Sequence, residues 1–489
     1  MLQRTAGRAG AAMTTFLEQI VARSRSDLEQ RKGQRPLEQI QEMASAQPAP
    51  RDALAVLRTP HAVQIIAEVK RASPSRGLLA PNFDPVRLAQ TYEAGGAALI
   101  SVLTEPHFFQ GAPAYLAAIK QAVGLPVLCK DFFFDEYQVY EARLWGADLI
   151  LLICALLDDE QLRHLLATAR RLGMRCLVET HSATEVYRAV QLGAEIIGVN
   201  SRDLRTFELH PGLLRNLRRL IPADRVLVAE SGIHSVADAR RLARYDIQAM
   251  LVGESLVTAS DPADQIARLL HGANASMQVK ICGLREAGHI QTALEAGVDL
   301  FGLVFYPPSH RSVTPGQAHG LVHSLAEQRC RVEVVGLFVN EEADFINRTA
   351  LEADLDVVQL HGDETPEFCQ RIHRPVIKAI HMHDVSDFGK LQAYRETTWR
   401  LLLDTPTPGW GGSGATHDWS LARAVARGRR VFLAGGLHPE NIARAIACVR
   451  PWGVDVSSGV ETAQRKDEAK IRAFLHQVRA LDAPIHYSV

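Results

Sequence analysis

Two fused (β/α)8 TIM barrels, the first with an N-terminal helical extension, are the α/β fold class this sequence predicts. Three observations predict it. The chain has 489 residues, too many for one ordinary core and close to twice the roughly 250 of a single barrel. Short apolar runs alternate with helical stretches at intervals of about 20–30 residues, the rhythm of βαβ units. The runs form two sets of eight, and eight strand–helix units close a barrel. An open doubly wound sheet is the rival architecture; eight strands twice over favours closure.

In the first half the runs are IIAEVK (65–70), ALISVLT (98–104), PVLCKD (126–131), DLILLIC (148–154), RCLVET (175–180), IIGVNS (196–201), RVLVAES (225–231) and AMLVGES (249–255). In the second half they are QVKICG (278–283), DLFGLVF (299–305), VEVVGLF (332–338), VVQLHG (357–362), PVIKAI (375–380), RLLLDT (400–405), RVFLAGG (430–436) and GVDVSSG (453–459). Runs apolar on both faces suit parallel strands covered by helices. Gly95-Gly96, Gly146, Gly193 and Gly297 each stand just before a strand, where a left-handed glycine ends a helix. Asp84-Pro85 reads as an N-cap and first-turn proline.

The domain reading is residues 1–13 as a disordered or non-native start, 14–270 as the first barrel, 271–277 (HGANASM) as a small, polar linker, and 278–489 as the second barrel. Extra helices are expected from 14 to about 60, before the first strand. Met13 is a candidate true start, because helical patterning begins just after it.

Composition excludes several classes. Hydrophobic residues make up 47% and charged residues 22%, so there is apolar mass for two cores. A net charge of −1 without a long basic block argues against a nucleic-acid or anionic-membrane binder. The longest apolar run, Leu149 to Leu157, is far short of the roughly 20 residues of a membrane span. The N-terminus lacks the apolar stretch of a secretory signal. Seven scattered cysteines without a CxxC read as free thiols in a reducing compartment, the cytoplasm.

In such barrels the polar residues at the C-terminal ends of strands face the active site. Here the first half places Glu68, Lys70, Lys130, Glu179, Asn200, Arg202, Glu230 and Ser231. So many ionisable groups at one mouth are costly unless they pair or work. The bland alternative is a set of buried ion pairs that only hold strands together. The strings IIAEVKRASPSRG (65–77), VLCKDF (127–132), GVNSRDL (198–204), VAESGI (228–233) and LVGESL (251–256) resemble indole-3-glycerol phosphate synthase over residues 14–270. The resemblance implies closure of an indole ring on 1-(o-carboxyphenylamino)-1-deoxyribulose 5-phosphate, with loss of carbon dioxide and water.

That chemistry needs a proton donor at a ketone oxygen and a base for a ring proton. The resemblance makes Lys130 the acid and Glu179 a general base, with Glu68 and Lys70 assisting. A lysine among cations and apolar strands is expected to have a lowered pKa. Asn200 and Arg202 would orient the substrate, with Arg202 near its carboxylate. Glu230 joins the substrate-binding set. Phe109 and Phe132 would pack on the anthranilate ring, although lone aromatics could equally be core. Phosphate is expected after strands seven and eight, at Ser231-Gly232 and Gly253-Glu254, with Ser73 adding a contact. Glu254 beside a phosphate is awkward unless its side chain points away.

The second half resembles phosphoribosylanthranilate isomerase over 278–481. The strings are VKICG (279–283), FGLVFYPPSHR (301–311), VQLHGDE (358–364), LLDTPTPGWGGSGATHDW (402–419), LAGGLHPEN (433–441) and GVDVSSGVE (453–461). The resemblance implies an Amadori rearrangement of an aldosylamine to an aminoketose. Cys282 becomes the base, its thiol lowered by a positive field, and Asp404 an acid kept protonated by burial. Arg311 would bind the anthranilate carboxylate, with Gln359 and His361 supporting the pocket. Gly435-Gly436 and Ser457-Ser458-Gly459 repeat the phosphate arrangement, and Asp455 would fix that loop. Two details depart from the family: Arg285 replaces a usual threonine, and the usual Pro-Gly before Lys466-Asp467 is missing.

The glycines at 409, 411, 412 and 414 do not fit a nucleotide loop and read better as a lid over the second site. His373, His381 and His383 lack metal-ligand spacing. The combined reading is a bifunctional tryptophan-biosynthesis enzyme acting on small phosphorylated substrates. No cofactor, metal, nucleic acid, membrane or obligate protein partner is implied. The rivals are a barrel acting on a related phosphorylated aminoketose and a non-catalytic, ligand-binding barrel.

Overall fold

The computed structural model describes residues 16–59, 62–74, 76–382, 388–404 and 419–481. Its contacts divide the chain into two units, Met1–Asn274 and Ala275–Val489. Each unit holds one closed barrel of eight parallel strands.

The first barrel runs β1 (Gln64–Val69), β2 (Leu99–Leu103), β3 (Val127–Lys130), β4 (Leu149–Ile153), β5 (Arg175–Thr180), β6 (Ile196–Asn200), β7 (Val226–Glu230) and β8 (Ala249–Val252). It closes where β1 pairs with both β2 and β8. The second runs β9 (Gln278–Cys282), β10 (Leu300–Val304), β11 (Glu333–Phe338), β12 (Val357–Leu360), β13 (Val376–His381), β14 (Arg400–Asp404), β15 (Val431–Leu433) and β16 (Gly453–Val456). It closes through β9, β10 and β16. The sixteen apolar runs are therefore the sixteen barrel strands. Most are buried from end to end, as strands with one face inward and the other under helices must be.

In each barrel the interior packs as a cluster distinct from the apolar layer between strands and helices. The first interior is plugged by helix α3 (Ala53–Leu57), whose Ala53, Leu54 and Leu57 meet Leu99, Leu149, Ile196 and Val226 at strand starts. Two longer helices precede it, α1 (Phe16–Gln34) and α2 (Leu37–Ser45). Arg31 holds Glu141 with two hydrogen bonds, at 2.7 and 3.0 Å, and Lys32 reaches Asp135 at 2.6 Å. The second interior has no plugging helix among the described residues. Trp399 and Trp452, edge to face at 5.7 Å, close it, with the Arg400 guanidinium 4.6 and 4.5 Å from their centroids.

Local signals act as their chemistry dictates. Asp84 Oδ1 accepts from the amides of Val86 and Arg87 and caps the helix Pro85–Ala94. Gly96, Gly146, Gly193 and Gly297 are left-handed. Gly95 is not: it is right-handed at φ −74°. What requires glycine there is packing, since a Cβ would stand 2.8 Å from the Ala263 Cα. The segment 271–277 also differs from a linker. The helix Pro262–Asn274 runs through most of it, with Gly272 and Ala273 buried. Asn274 bonds both the amide and the carbonyl of Val63, at 2.6 and 2.9 Å. Its polarity ties a helix end to the chain entering β1.

Residues 1–13 with Met13, the glycines at 409–414, and His383 lie outside the described residues. Among those described, no helix is long and apolar enough to cross a membrane.

Candidate active sites

The C-terminal mouth of the first barrel encloses a cavity of about 170 Å³. Four charged side chains form its floor. Lys70 Nζ lies 2.7 Å from Glu68 Oε1, and Lys130 Nζ lies 3.5 Å from Glu68 Oε2 and 3.3 Å from Glu230 Oε2. Glu179 ends its strand on the same cavity and is almost wholly buried. Phe109 and Phe132 line one wall with ring centroids 6.1 Å apart. Asn200 Oδ1 accepts from Ser231 Oγ at 2.8 Å and from the Arg202 amide at 3.0 Å. The Arg202 guanidinium is steadied by the Phe207 carbonyl at 3.1 Å.

Ser231 and Gly232 are consecutive left-handed residues, φ 66° and 72°, a conformation that gathers backbone amides toward an anion. Ser73 lines the cavity, and its hydroxyl has no hydrogen-bond partner among the described residues. The Glu254 side chain turns to Arg76, 2.9 Å away, which removes the conflict of a free carboxylate beside a phosphate. Gly253 is needed for packing as well, because a Cβ there would collide with the Glu68 carboxylate.

The second mouth encloses a cavity of about 90 Å³. Cys282, ending β9, and Asp404, ending β14, both line it. Gln359 Nε2 lies 2.9 Å from His361 Nδ1, and His361 Nε2 lies 3.1 Å from Asp404 Oδ2. With the Gln359 amide donating, Nδ1 accepts, so Nε2 carries the proton and donates to Asp404. Gly435 and Gly436 are consecutive left-handed residues, φ 82° and 63°, matching Ser231-Gly232. Ser457 and Ser458 complete that side of the cavity. Gly459 does not line it; its missing side chain makes room for the Leu437 carbonyl. Asp455 faces the cavity, but both its oxygens lie 3.0 Å from Lys280 Nζ, so it steadies the loop from beneath and offers an anion nothing.

Residues 17–269 match the family indole-3-glycerol phosphate synthase, and residues 279–477 match N-(5'phosphoribosyl)anthranilate (PRA) isomerase. A multifunctional tryptophan biosynthesis protein of Phycomyces blakesleeanus is 38% identical over 86% of this chain and 63% of its own length. The tryptophan biosynthesis protein TrpCF of Yersinia pestis is 36% identical over 95% of this chain and 94% of its own. The chain belongs to both families. It spans less than two thirds of the first fungal relatives, 63% and 59%, and nearly all of the bacterial one. The phosphoribosyl anthranilate isomerase structure from Thermotoga maritima is 42% identical, over 42% of this chain and 99% of that one, with a TM-score of 0.39.

Two electrostatic expectations are corrected. Lys130 of the synthase barrel is not lowered. Burial pulls it down, but Glu230, Glu68 and Glu179 outweigh burial and raise it. The lysine sits among carboxylates, not cations. Burial likewise pushes Glu68 up, yet Lys70 and Lys130 hold it at about 2. Glu230 is pushed up to about 8, by burial first, against Lys130 and with the help of Glu179. In the isomerase barrel the Cys282 thiol is raised, not lowered: burial and Asp455 prevail over Lys280 and Lys466.

Arg311 is also not open to a ligand on every side. Its Nε and Nη2 each donate to Glu461 at 2.7 Å, and Lys466 adds a third contact to Glu461 at 2.8 Å. Those cations hold the Glu461 carboxyl at about 2 against burial. Sequence reasoning missed Glu461, Lys466 and Lys280. Lys280 was findable, since it alternates with Cys282 on one strand and faces the same side. Gly198 and Gly302 were missed too. A Cβ on Gly198 would collide with the Glu230 carboxylate, and one on Gly302 would sit 2.9 Å from Cys282 Sγ.

Proposed function

We propose that the C-terminal barrel isomerises N-(5-phosphoribosyl)anthranilate to 1-(o-carboxyphenylamino)-1-deoxyribulose 5-phosphate, and that the N-terminal barrel converts that product into indole-3-glycerol phosphate. The observation that carries this reading is that each family's acid and base line one cavity within a single barrel: Cys282 with Asp404, and Lys130 with Glu179.

In the isomerase, Asp404 gives a proton to the furanose ring oxygen. The ring opens and leaves an iminium at C1′. Cys282 takes the C2′ proton, and the resulting enol becomes the ketone as C1′ gains a proton. His361 donates to one Asp404 oxygen, so the proton to be given sits on the other, and the carboxylate left behind keeps a partner. Arg311, braced by Glu461, offers its remaining donors to the anthranilate carboxylate. The left-handed pair Gly435-Gly436 receives phosphate with Ser457 and Ser458.

In the synthase, the ring carbon bearing the carboxylate attacks the C2′ ketone. The Lys130 ammonium delivers its proton as the oxygen becomes an alkoxide. Loss of carbon dioxide restores the benzene ring, the new hydroxyl takes a proton from the Lys70 ammonium and departs as water, and Glu179 accepts the C1′ proton that completes the indole. Glu68 pairs with both Lys70 and Lys130 and holds them in place. Phe109 and Phe132 flank the anthranilate ring, Asn200 and Arg202 orient it, and Ser73, Ser231 and Gly232 hold phosphate. No step here calls on a metal or cofactor. The cytoplasm suits the chemistry, and Cys129, Cys154, Cys176, Cys282, Cys369 and Cys448 are free thiols.

The test is a pair of variants in the full chain. Cys282→Ala should cut isomerisation by about 10²-fold or more and leave ring closure intact. Lys130→Ala should stop indole formation while isomerisation continues, so the aminoketose accumulates. Normal rates in either variant overturn the corresponding assignment. The boundary is proposed at 274/275, because Asn274 is bonded to Val63 and Arg479 donates to the Met277 carbonyl at 2.7 Å. Fragments 1–274 and 275–489 should each keep kcat/KM within a few-fold; a soluble but inactive half would show that the halves depend on each other.

A further inference from the structure

Beside Glu179 stands a histidine that neither the motifs nor the mechanism uses. His181 follows β5 directly and is not among the cavity-lining residues. Its Nε2 lies 3.4 Å from Glu179 Oε1, and its Nδ1 lies 3.6 Å from Glu185 Oε2. Both spacings are long for a tight hydrogen bond and suit a charge interaction. The main chain fixes the arrangement: the His181 amide donates to Glu185 Oε2 at 2.8 Å, and Ser182 caps the helix Ala183–Gln191 that carries Glu185. The imidazole is therefore held between two carboxylates, one at the reacting centre and one on the outer helix.

We propose that His181 is a positioning residue of the synthase site: as an imidazolium it aligns the Glu179 carboxylate for accepting a proton. The inference rests on the synthase reading above. The surroundings favour the charged ring. Glu179 faces it from its own strand, Glu185 from the following helix, Glu230 from β7, and Asp203 from the loop after β6. His210 lies in the same loop as Asp203 and acts on it. Lys130, on β3, also feels the Glu179 charge. Burial opposes the charge on His181, but the carboxylates prevail and raise its pKa. Glu179 thus interacts with two cations, Lys130 electrostatically and His181 at 3.4 Å. Lys130 must give up its proton during the reaction; His181 need not, and so can hold the Glu179 carboxylate in place throughout turnover.

A cation within about 4–6 Å favours an ionised carboxylate by 1–3 pH units. Removing it should therefore move the acid limb of ring closure upward, by about 1 pH unit. The experiment is single-turnover indole formation from the purified aminoketose across pH 5–9. It compares the wild-type full chain with His181→Asn, His181→Lys and Glu185→Gln. His181→Asn should shift the acid limb to higher pH and lose about tenfold in rate below it, with little loss on the plateau. His181→Lys restores a cation and should bring the limb back toward wild type. Glu185→Gln removes one carboxylate that keeps the ring charged, and should shift the limb the same way by less. A uniform drop at every pH with the limb unmoved makes His181 merely structural and overturns the proposal, as does a wild-type profile in His181→Asn. If His181→Asn fails to fold, Glu185→Gln decides alone, and an unmoved limb there overturns the proposal. If the wild-type chain forms no indole product, the synthase reading fails instead, and the two failures are distinct.

Discussion

The two barrels share a scaffold and differ in how their mouths hold charge. In the synthase barrel the side chains proposed to react are joined to one another: Lys130, Lys70, Glu68 and Glu230 are linked by contacts of 2.7–3.5 Å. In the isomerase barrel the cations are committed elsewhere. Lys280 holds Asp455, and Arg311 and Lys466 hold Glu461, and burial with Asp455 raises the Cys282 thiol against the pull of Lys280 and Lys466. The difference follows the chemistry. Ring closure on a ketone needs a charged donor at once, and a network of opposite charges stabilises it while buried. Proton removal next to an iminium needs a strong base that appears only when the substrate's own cation forms, and a thiol with a raised pKa meets that need. Eight strands supply positions; the residues at their ends set the reaction.

The largest test of that contrast is steric. Gly198 makes room for Glu230, so Gly198→Ala should push that carboxylate off Lys130 and take its partner away. Indole formation should fall by about 10²-fold, the scale of a misplaced catalytic group, while isomerisation in the same chain stays unchanged. Retained ring closure would show that the Glu230–Lys130 contact is dispensable.

Next in size is pH. As the proposed base, Cys282 would have to lose a proton to act, and its thiol is raised above the ordinary value. Isomerase kcat/KM should thus climb by up to about tenfold per unit from pH 7 to 9. On the synthase side, Glu230 ionises near 8; above that it grips the Lys130 proton more firmly, so ring closure should level off or fall. Stability moves oppositely at low pH. Glu68, held at about 2 against an unperturbed 4.5, stabilises the folded synthase barrel above pH 4.5 and loses that contribution as pH falls from 4.5 toward 2. The full shift is worth about 3 kcal/mol. Parallel pH profiles for the two activities would refute the difference drawn between the mouths.

Most of the fold was legible because its signals are local. The strands are apolar runs, and many are closed by polar residues, as with RCLVET ending on Glu179 and Thr180. The strand-end site residues follow from that register alone. What was not legible depends on partners distant in the chain. Nothing near Arg311 announces Glu461, 150 residues away, and nothing near Lys130 announces its contact with Glu230, 100 residues on. Gly198 and Gly302 read as ordinary strand residues until the side chain each must clear is placed. The polar segment at 271–277 misled because Asn274 commits its amide to Val63, a contact across 211 residues.

The smallest expected effect separates the two hairpins at the mouths. In the synthase barrel, Ala72–Ser73 pairs with Gly77–Leu78, and the left-handed position, φ 69°, is filled by Gly77. In the isomerase barrel, Glu461–Thr462 pairs with Arg465–Lys466 across Ala463 and Gln464, at φ 49° and 62°. Two left-handed residues in a two-residue turn call for Asn-Gly, and each residue with a Cβ there costs about 1 kcal/mol. The missing Pro-Gly thus leaves strain in the hairpin that carries both Glu461 and Lys466. Ala463→Asn with Gln464→Gly should stabilise the isomerase unit by about 1–2 kcal/mol and raise its unfolding midpoint by about 2–8 °C, leaving the synthase transition where it is. Calorimetry on the full chain reads both. Because the pairing of Glu461 with Lys466 is kept, the KM for phosphoribosylanthranilate should hold within about twofold. A lowered midpoint would mean the turn is not strained. An unchanged midpoint with a raised KM would mean instead that the turn's tension sets how Glu461 presents Arg311 to the substrate.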